Sequence, residues 1–307
     1  MFNSKKYWNN RYLQGGTSGN GSYNELAQFK ANIINNFIEK KKIKSIIDYG
    51  VGDGNQLKLI NTENKSYTGI DVSEFIINKC KIMFKDDITK KFIGVNDIDN
   101  ELKADLVLSC DVIYHLIEDN VYEEYMNNLF GMSKKYVIIY AKDEDINHSI
   151  HVKFRKFSNY IDKNFSEWQL IEYIPNKYPQ ISLGINNENT SPSDFYIYEK
   201  NNTFISLTKN WKDYIETKLM KIIKNLNVKL EGNIYSNHHS FEDKSQYLSN
   251  KRWNIYNVLK KTQPDTILEI GFNAGFSSLL MKMILPDVNI TCVDLNEHKY
   301  VMPCFNK

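Results

Sequence analysis

Short apolar runs separated by amphipathic stretches organise the first two hundred residues of the chain. The runs have the length and the continuous apolar character of strands buried on both faces, as in a parallel sheet. They lie at 45–49, 66–71, 104–110 and 136–140. Helices are predicted between and before them, at 24–40, 55–60, 73–84 and 120–133. Two later segments, 168–174 and 194–199, are predicted to pair as an antiparallel edge. This alternation predicts an α/β fold with a doubly wound, mostly parallel sheet.

A polar stretch at Asn201–Thr203 predicts a boundary between two domains, 1–202 and 203–307. Beyond lead-in helices, the second domain contains only two apolar runs, 266–270 and 288–293, around one helix. Two parallel strands cannot bury both of their faces, so we expect an incomplete α/β unit. It is either a natural remnant or a truncated piece of a longer protein, and we favour truncation because its motifs keep every acid and glycine that a site needs. We expect no second active site in this unit, because the strands that would face an acceptor are absent. Its exposed apolar faces would be covered by the first domain or by a second copy of the chain. A homodimer is the simpler arrangement.

The first strand runs into an acid and a glycine-rich turn, and the second strand ends in another acid. The turn contains Asp48, Gly50, Gly52 and Gly54, and the second strand ends at Asp71. Glycines allow a sharp turn and a close approach of the backbone to a ligand. An acid at the end of the neighbouring strand can accept both hydrogen bonds of a ribose diol. The pattern predicts a nucleoside site, although a turn that only links a strand to a helix would also contain glycines.

The spacing of these glycines bears on which nucleoside is bound. A dinucleotide site holds a pyrophosphate at a helix N-terminus, usually over Gly-x-Gly-x-x-Gly. Here the spacing is Gly-x-Gly-x-Gly, and Asp48 and Asp53 place negative charge beside the loop. Such a loop favours a ligand with an ammonium and a sulfonium over one with phosphates. We therefore expect no competition from NADH.

This stretch resembles motif I of the class I S-adenosylmethionine (SAM) methyltransferases, whose fold is Rossmann-like. Asp71 stands in the ribose-binding place of motif II, and Asn96-Asp97 stands where motif III approaches the adenine, although a plain turn would explain that pair equally well. The resemblance implies SAM as the cofactor. The residues that it implies for cofactor binding are Asp48, Gly50, Gly52, Gly54, Asp71, Val72, Asp97 and Asp111. A second stretch, 266–275 followed by Asp294, resembles the same pair of motifs.

Two further strings are similar to a bacterial group within this family. One is Tyr-Trp-x-x-Arg-Tyr at 7–12, followed by a Gly/Ser loop, and the other is Asp-Val-Ile-Tyr-His-Leu at 111–116. In the family the second string, motif IV, lies between the methionine half of the cofactor and the acceptor. His115 is therefore the candidate catalytic base, because an imidazole titrates near neutral pH. Packing over the cofactor is the alternative for both His115 and Tyr114. Asp111 would contact the methionine ammonium or cap its loop.

Other histidines and one arginine follow the strand at 136–140. His151 and Arg155 are candidates for a substrate wall, since that strand also ends near the acceptor in this fold. His148 and His151 have a spacing that suggests zinc, but no third ligand is near in sequence, so we predict no metal. His238-His239 is predicted to be an exposed polar turn.

The leading functional hypothesis is methyl transfer to an oxygen or nitrogen of a small molecule. Resemblance to proteins of surface-glycan pathways favours a sugar or glycan precursor as the acceptor. Methylation of RNA or DNA and a non-catalytic SAM-binding scaffold are the alternatives. A net charge of +2 and a pI near 8.1 provide no strong field for a nucleic acid. The retained acids and glycines disfavour a scaffold.

Cysteine usage and hydropathy bear on the compartment. The four cysteines are scattered and lack C-x-x-C spacing, which favours a reducing environment. The N-terminus has no apolar signal region, and no stretch approaches the ~18 apolar residues of a membrane span. We therefore expect a cytoplasmic protein without a membrane partner.

Overall fold

The computed structural model describes residues 2–165, 167–180, 189–230, 234 and 246–307. The predicted turn at His238-His239 and the side chain of His148 lie outside this description. The chain forms two compact units. The first comprises Met1–Tyr160 and Trp168–Lys200, and the second comprises Ile161–Glu167 and Asn201–Lys307.

A seven-stranded sheet forms the centre of the first unit, in the order β3-β2-β1-β4-β5-β9-β8. A separate antiparallel hairpin, β6–β7, was not predicted from the sequence. The strands are β1 (Ser45–Tyr49), β2 (Ser66–Asp71), β3 (Lys90–Gly94), β4 (Ala104–Cys110), β5 (Ser133–Ala141), β6 (Ile146–Ser149), β7 (Val152–Phe154), β8 (Trp168–Ile174) and β9 (Asp194–Lys200). Strands β1 to β5 run parallel to one another, and β9 is antiparallel to both β5 and β8. The predicted doubly wound, mostly parallel sheet with an antiparallel edge is confirmed.

Helices cover this sheet. They are α1 (Ser4–Leu13), α2 (Asn24–Lys41), α3 (Glu74–Met83), α4 (Asp119–Gly131) and α5 (Phe157–Asn164). The helix predicted near 55–60 is wrong, because only a short 3-10 turn forms there, over Leu57–Leu59. The chain becomes extended at the buried Ile60, which ends the helical stretch after a single turn.

The strand order reverses between β1 and β4, which lie side by side in the middle of the sheet. In open α/β sheets, ligands bind outside the carboxyl ends of the strands at such a reversal. The carboxyl ends of β1, β2 and β4 carry the acids and glycines that the sequence singles out. The topology therefore gathers them at one edge.

From Asn202 onward, the described residues of the second unit form two parallel strands and five α-helices. They are α6 (Asn202–Tyr214), α7 (Met220–Asn225), α8 (Gln246–Thr262), β10 (Thr266–Ile270), α9 (Phe276–Ile284), β11 (Asn289–Val293) and α10 (Val301–Phe305). A π-helical turn over Ile215–Leu219 joins α6 to α7. The strands place Ile267 and Ile290 against the helical core. The opposite face leaves Leu268, Ile270 and Val293 exposed, with Ile270 82% accessible.

Within the described residues, no helix combines the length and the apolar character that a membrane crossing requires.

Candidate active site

A cavity of about 270 Å³ opens at the edge where β1, β2 and β4 end. Its floor is formed by the last residues of these strands and the residues just after them. They include Asp48, Tyr49, Gly50, Val51, Asp71, Val72, Cys110, Asp111 and Val112. Helix α1 and the loop after it also contribute to the lining. This cavity is the candidate site, because most of the acids predicted for cofactor binding meet in it.

The glycine loop adopts backbone conformations that favour glycine. Gly50 has a φ of +102° and Gly52 a φ of +57°. A Cβ on Gly52 would lie 2.2 Å from the Oγ of Ser18, and one on Gly50 would lie 2.4 Å from Val112. The close approach that requires these glycines is therefore made by the protein's own chain. Gly54 lies against Phe84 instead.

Asp71 is held by the backbone of the glycine loop. Its Oδ2 accepts a hydrogen bond from the N–H of Gly52 at 3.1 Å, and its Oδ1 accepts one from Ser73 at 2.9 Å. The carboxylate is buried, and burial raises the pKa of Asp71 to about 6 although these N–H groups oppose the shift. Each oxygen keeps acceptor capacity, because an ionised carboxylate offers about four lone-pair sites. Asp71 can therefore accept further hydrogen bonds from the cavity.

Asp48 lies deeper, at the end of β1. Its Oδ2 accepts a hydrogen bond from the hydroxyl of Tyr67 at 2.8 Å. Burial raises the pKa of Asp48 to about 6, while the Tyr67 hydroxyl and the charge of Lys30 oppose the shift. The cavity therefore contains two acids, Asp48 and Asp71, whose ionisation is energetically unfavourable without a ligand.

Asp111 forms a buried ion pair that the sequence analysis missed. Its Oδ2 lies 2.7 Å from the Nζ of Lys30, a residue of α2 that is only 1% exposed. Its Oδ1 accepts hydrogen bonds from Tyr114 at 2.9 Å and from Ser193 at 3.1 Å. Asp111 also has a φ of +58°, in the left-handed region that non-glycine residues seldom adopt. The pair therefore connects α2, the end of β4 and the chain entering β9.

A signal for Lys30 exists in the sequence. Helix α2 buries Leu26, Ala27, Ala31 and Ile34 on one face, and Lys30 falls on that same face. A lysine on an apolar helical face indicates a buried charge that needs a partner. The partner could not be read from the sequence, because Asp111 is 81 residues away.

Tyr114 and His115 follow β4 in a short 3-10 turn. The Tyr114 hydroxyl donates to Asp111, and burial raises the pKa of Tyr114. His115 lines the cavity, with its Nδ1 3.1 Å from the carbonyl oxygen of His151 and its ring 4.7 Å from that of Trp8. Burial lowers the pKa of His115 to about 4, so the imidazole is neutral at pH 7.

His151 and Arg155 do not line the cavity. The ring of His151 stacks on that of Tyr7 at 5.2 Å. The guanidinium of Arg155 donates to the carbonyl oxygens of Leu116 and Ile117, at 2.6 and 2.9 Å. It also pairs with the carboxylate at the start of α4, that of Asp119, at 2.7 Å. Arg155 therefore holds the chain between the 3-10 turn and α4.

The predicted adenine-side residues occupy different positions. Val72 lines the cavity, as do Val95 and Asn96 after β3. Asp97 is exposed and caps its own 3-10 turn, accepting a hydrogen bond from Gly94 at 3.2 Å. Of the Asn96-Asp97 pair, Asn96 is thus the cavity-lining member.

Asp53 attaches the N-terminal loop to the glycine loop. Its Oδ2 accepts hydrogen bonds from the backbone of Ser18 at 2.9 Å and from the hydroxyl of Tyr23 at 2.7 Å. The Ser18 hydroxyl in turn accepts from the Asp53 N–H at 2.8 Å. Burial opposes ionisation, but these hydrogen bonds outweigh it and lower the pKa of Asp53. Asp53 therefore has a structural role in securing the loop, which the sequence analysis did not foresee.

The second unit repeats part of this arrangement. The backbone N–H of Asn273 donates to Oδ2 of Asp294 at 2.8 Å, as Gly52 does to Asp71. Glu269 accepts hydrogen bonds from the hydroxyls of Ser277 and Ser278. Across the part of the chain that the structure describes, no three His, Cys, Asp or Glu side chains are grouped as metal ligands would be.

Comparisons with known proteins bear on the fold. No protein-family model matches the sequence, and no curated protein matches it. Among solved structures, the chain is similar to the N-methyltransferase NodS from Bradyrhizobium japonicum WM9 in complex with S-adenosyl-L-homocysteine. The TM-score is 0.52 at 14% identity, over 65% of this chain and 99% of NodS. It is also similar to the 1,6-didemethyltoxoflavin-N1-methyltransferase of Burkholderia thailandensis, with a TM-score of 0.48 at 13% identity over 64% of this chain and 87% of that chain. The similarity to NodS shows that the first unit's architecture is the Rossmann-like methyltransferase fold.

Proposed function

We propose that this protein is an enzyme that uses SAM to methylate an oxygen or nitrogen of a small molecule. The observation that carries the proposal is the charge of the cavity. Three carboxylates, those of Asp48, Asp71 and Asp111, line its interior together with the ammonium of Lys30. The exposed Lys5 and Glu124 add one charge of each sign at the rim. Each of the three interior acids lies at or just after the carboxyl end of a different strand of the sheet.

This surplus of negative charge distinguishes between cofactors. SAM brings a sulfonium and an ammonium against one carboxylate, so its net charge is opposite to that of the cavity. A dinucleotide would bring two phosphate charges of the same sign as the acids, and like charges in a low-dielectric site repel strongly. Asp48 and Asp71 are already costly to ionise, so a cationic ligand would relieve part of that cost.

The residues present also fit the nucleoside half of SAM. Asp71 keeps acceptor capacity for a ribose diol while the backbone of Gly52 and Ser73 fixes its orientation. Val72, Val95 and Asn96 complete that side of the cavity. NodS, with a similar fold, was crystallised with S-adenosyl-L-homocysteine, which agrees with the proposal.

SAM, when bound, supplies a methyl group on a sulfonium that is already an activated leaving group. What the chain must add is alignment of the acceptor and a place for its proton. His115 is neutral at pH 7, and if its Nδ1–H donates to the His151 carbonyl, its Nε2 is an acceptor. Asp111, held by Lys30 and Tyr114, orients the turn that carries His115.

Calorimetric titration with S-adenosylhomocysteine tests the proposal. Asp71→Ala should weaken binding by roughly 1–3 kcal/mol, because ribose hydroxyls would lose a charged partner. Asp97→Ala is the matched control, since that carboxylate is exposed and caps its own turn. No binding by the wild-type protein, or saturable NADH binding in the micromolar range, would overturn the assignment. Binding without methyl transfer to any acceptor would favour the scaffold alternative.

Several finer expectations stand as proposals. The sugar or glycan acceptor rests on resemblance alone, and it is the alternative to the acceptor class argued below. We retain the division into domains 1–202 and 203–307, and the four free cysteines support a cytoplasmic location. Pairing of two copies through the face containing Leu268, Ile270 and Val293 is supported by the exposure of those side chains. Light scattering tests it, and a monomer at high concentration would rule it out.

A further inference from the structure

One wall of the cavity is built from residues outside β1–β3. It is formed by α1, by the turn after β4 and by α4. Its apolar and aromatic side chains are those of Trp8, Val112, Leu116, Val121 and Tyr125. Leu116 and Tyr125 are buried, and Trp8 is half-buried. The wall therefore offers flat, apolar surface to whatever occupies this end.

The polar atoms along this wall are mostly engaged. The hydroxyl of Tyr125 lies 2.6 Å from the carbonyl oxygen of Tyr49, to which it donates, and 2.9 Å from the Ser109 hydroxyl. The rings of Tyr125 and Tyr49 are stacked, with their centroids 4.0 Å apart. Tyr125 consequently presents ring surface and not a free hydroxyl.

Three titratable side chains lie along this wall. Lys5 and Glu124 line the cavity but are exposed, which places them at its rim. His115 is the third, because its Nδ1 is engaged with His151 while its Nε2 has no hydrogen-bond partner among the described residues. A single half-buried imidazole acceptor thus accompanies a predominantly apolar wall.

We infer, on the basis of the proposed methyl transfer, that the acceptor is a small aromatic molecule with a ring hydroxyl, packed against Trp8, Leu116 and Tyr125 with that hydroxyl at His115. A sugar would bring several hydroxyls against a wall whose one neutral acceptor is the half-buried His115, and each unpaired hydroxyl would lose its hydrogen bonds to water. An aromatic ring gives up few hydrogen bonds to water when it moves from solvent to this wall, and it gains contact with the rings of the wall.

The chemistry of His115 agrees with this class of acceptor. The acceptor oxygen forms its bond to the methyl carbon as the carbon–sulfur bond breaks, and the hydroxyl proton passes to Nε2 of His115 and then to solvent. The low pKa of His115 makes it a weak base. A phenolic hydroxyl, with a pKa near 10, gives up its proton far more readily than an aliphatic alcohol. A weak, well-placed acceptor is therefore sufficient for an aromatic hydroxyl.

The test uses the full chain, 2-naphthol as the aromatic probe and methyl α-D-glucopyranoside as the sugar probe. Binding to the protein saturated with S-adenosylhomocysteine is measured by calorimetry, and methylation by transfer of label from methyl-labelled SAM. Trp8→Ala should weaken 2-naphthol binding roughly tenfold and leave S-adenosylhomocysteine affinity within about twofold. Lys6→Ala, on the exposed side of the same helix, is the matched control and should change neither.

A second variant examines the polar contact. His115→Asn retains an N–H that can reach the His151 carbonyl but removes Nε2, so it should reduce methylation of 2-naphthol while retaining its binding. Two results would rule out the aromatic acceptor while leaving the proposed methyltransferase intact, provided that S-adenosylhomocysteine binds. One is binding of the glucoside without binding of 2-naphthol, and the other is binding of neither probe. Equal effects of Trp8→Ala and Lys6→Ala would also overturn the inference. Failure of S-adenosylhomocysteine to bind overturns the proposed function itself.

Discussion

Asp48 should make the ligand-free protein less stable at neutral and alkaline pH. Its carboxylate is buried at the end of β1, and its nearest hydrogen-bond donor is the Tyr67 hydroxyl at 2.8 Å. Asp48→Asn removes the charge while keeping a carbonyl oxygen that can accept the same hydrogen bond. The substitution therefore isolates the cost of the buried charge from the contribution of the hydrogen bond.

The size of the effect follows from the pKa. Burial raises the pKa of Asp48 from 3.8 to about 6, and two units correspond to roughly 3 kcal/mol of free energy of unfolding. Because the folded-state pKa is above the unfolded value, the folded protein holds the proton more tightly. The cost of Asp48 grows as the pH rises from about 4 to about 6 and is complete above that range. We expect Asp48→Asn to stabilise the protein by about 1–3 kcal/mol at pH 8, and by about half as much at pH 5.

Urea unfolding at pH 8 and pH 5 measures this difference, with hydrogen exchange of peptides from β1 and β2 assigning the transition to the first unit. Asp119→Asn is the control of opposite sign, because hydrogen bonds from Lys153 and Arg155 lower the pKa of Asp119. Under the proposed function, Asp48→Asn should also weaken SAM binding at pH 8 by roughly tenfold. A loss of stability at pH 8, or an equal gain at both pH values, would refute the argument that the buried charge of Asp48 is costly.

Three further predictions follow from the same cavity. Gly52→Val should displace the loop around Ser18, whose Oγ a Cβ would meet at 2.2 Å, and limited proteolysis should then cleave that loop faster than in the wild type. Lys30→Met should lower the free energy of unfolding by about 3–5 kcal/mol, because it leaves the Asp111 carboxylate without its ion-pair partner. In denaturant titrations, the double variant with Asp111→Asn should recover part of this loss. SAM affinity should fall as the pH drops through about 6, because the two acids with raised pKa become protonated; a calorimetric series from pH 8 to pH 5 with flat affinity would contradict this.

What the sequence could predict is local. The strands at 45–49, 66–71 and 104–110 have the predicted bounds, because continuous apolar runs bounded by polar turns specify them directly. The hairpin β6–β7 and the role of Arg155 were missed, because neither depends on a periodic pattern. Arg155 is fixed by carbonyl oxygens 38 and 39 residues earlier in the chain. Such contacts exist only once the sheet has brought the segments together.

The glycine-containing turns after β1 and β10 show which properties of a site the local sequence pattern specifies and which it does not. In each, a backbone N–H of the turn donates to the acid that ends the next strand, Gly52 to Asp71 and Asn273 to Asp294. The pattern therefore specifies the bond. It does not specify the environment, since burial raises the pKa of Asp71 to about 6, whereas backbone hydrogen bonds lower the pKa of the more accessible Asp294. Asp71 shares its cavity with Tyr12 of α1 and with Ser18 of the loop that follows α1. The burial of Asp71, and with it the raised pKa of this acid, thus depends on residues outside the glycine turn and the strand that ends in the acid.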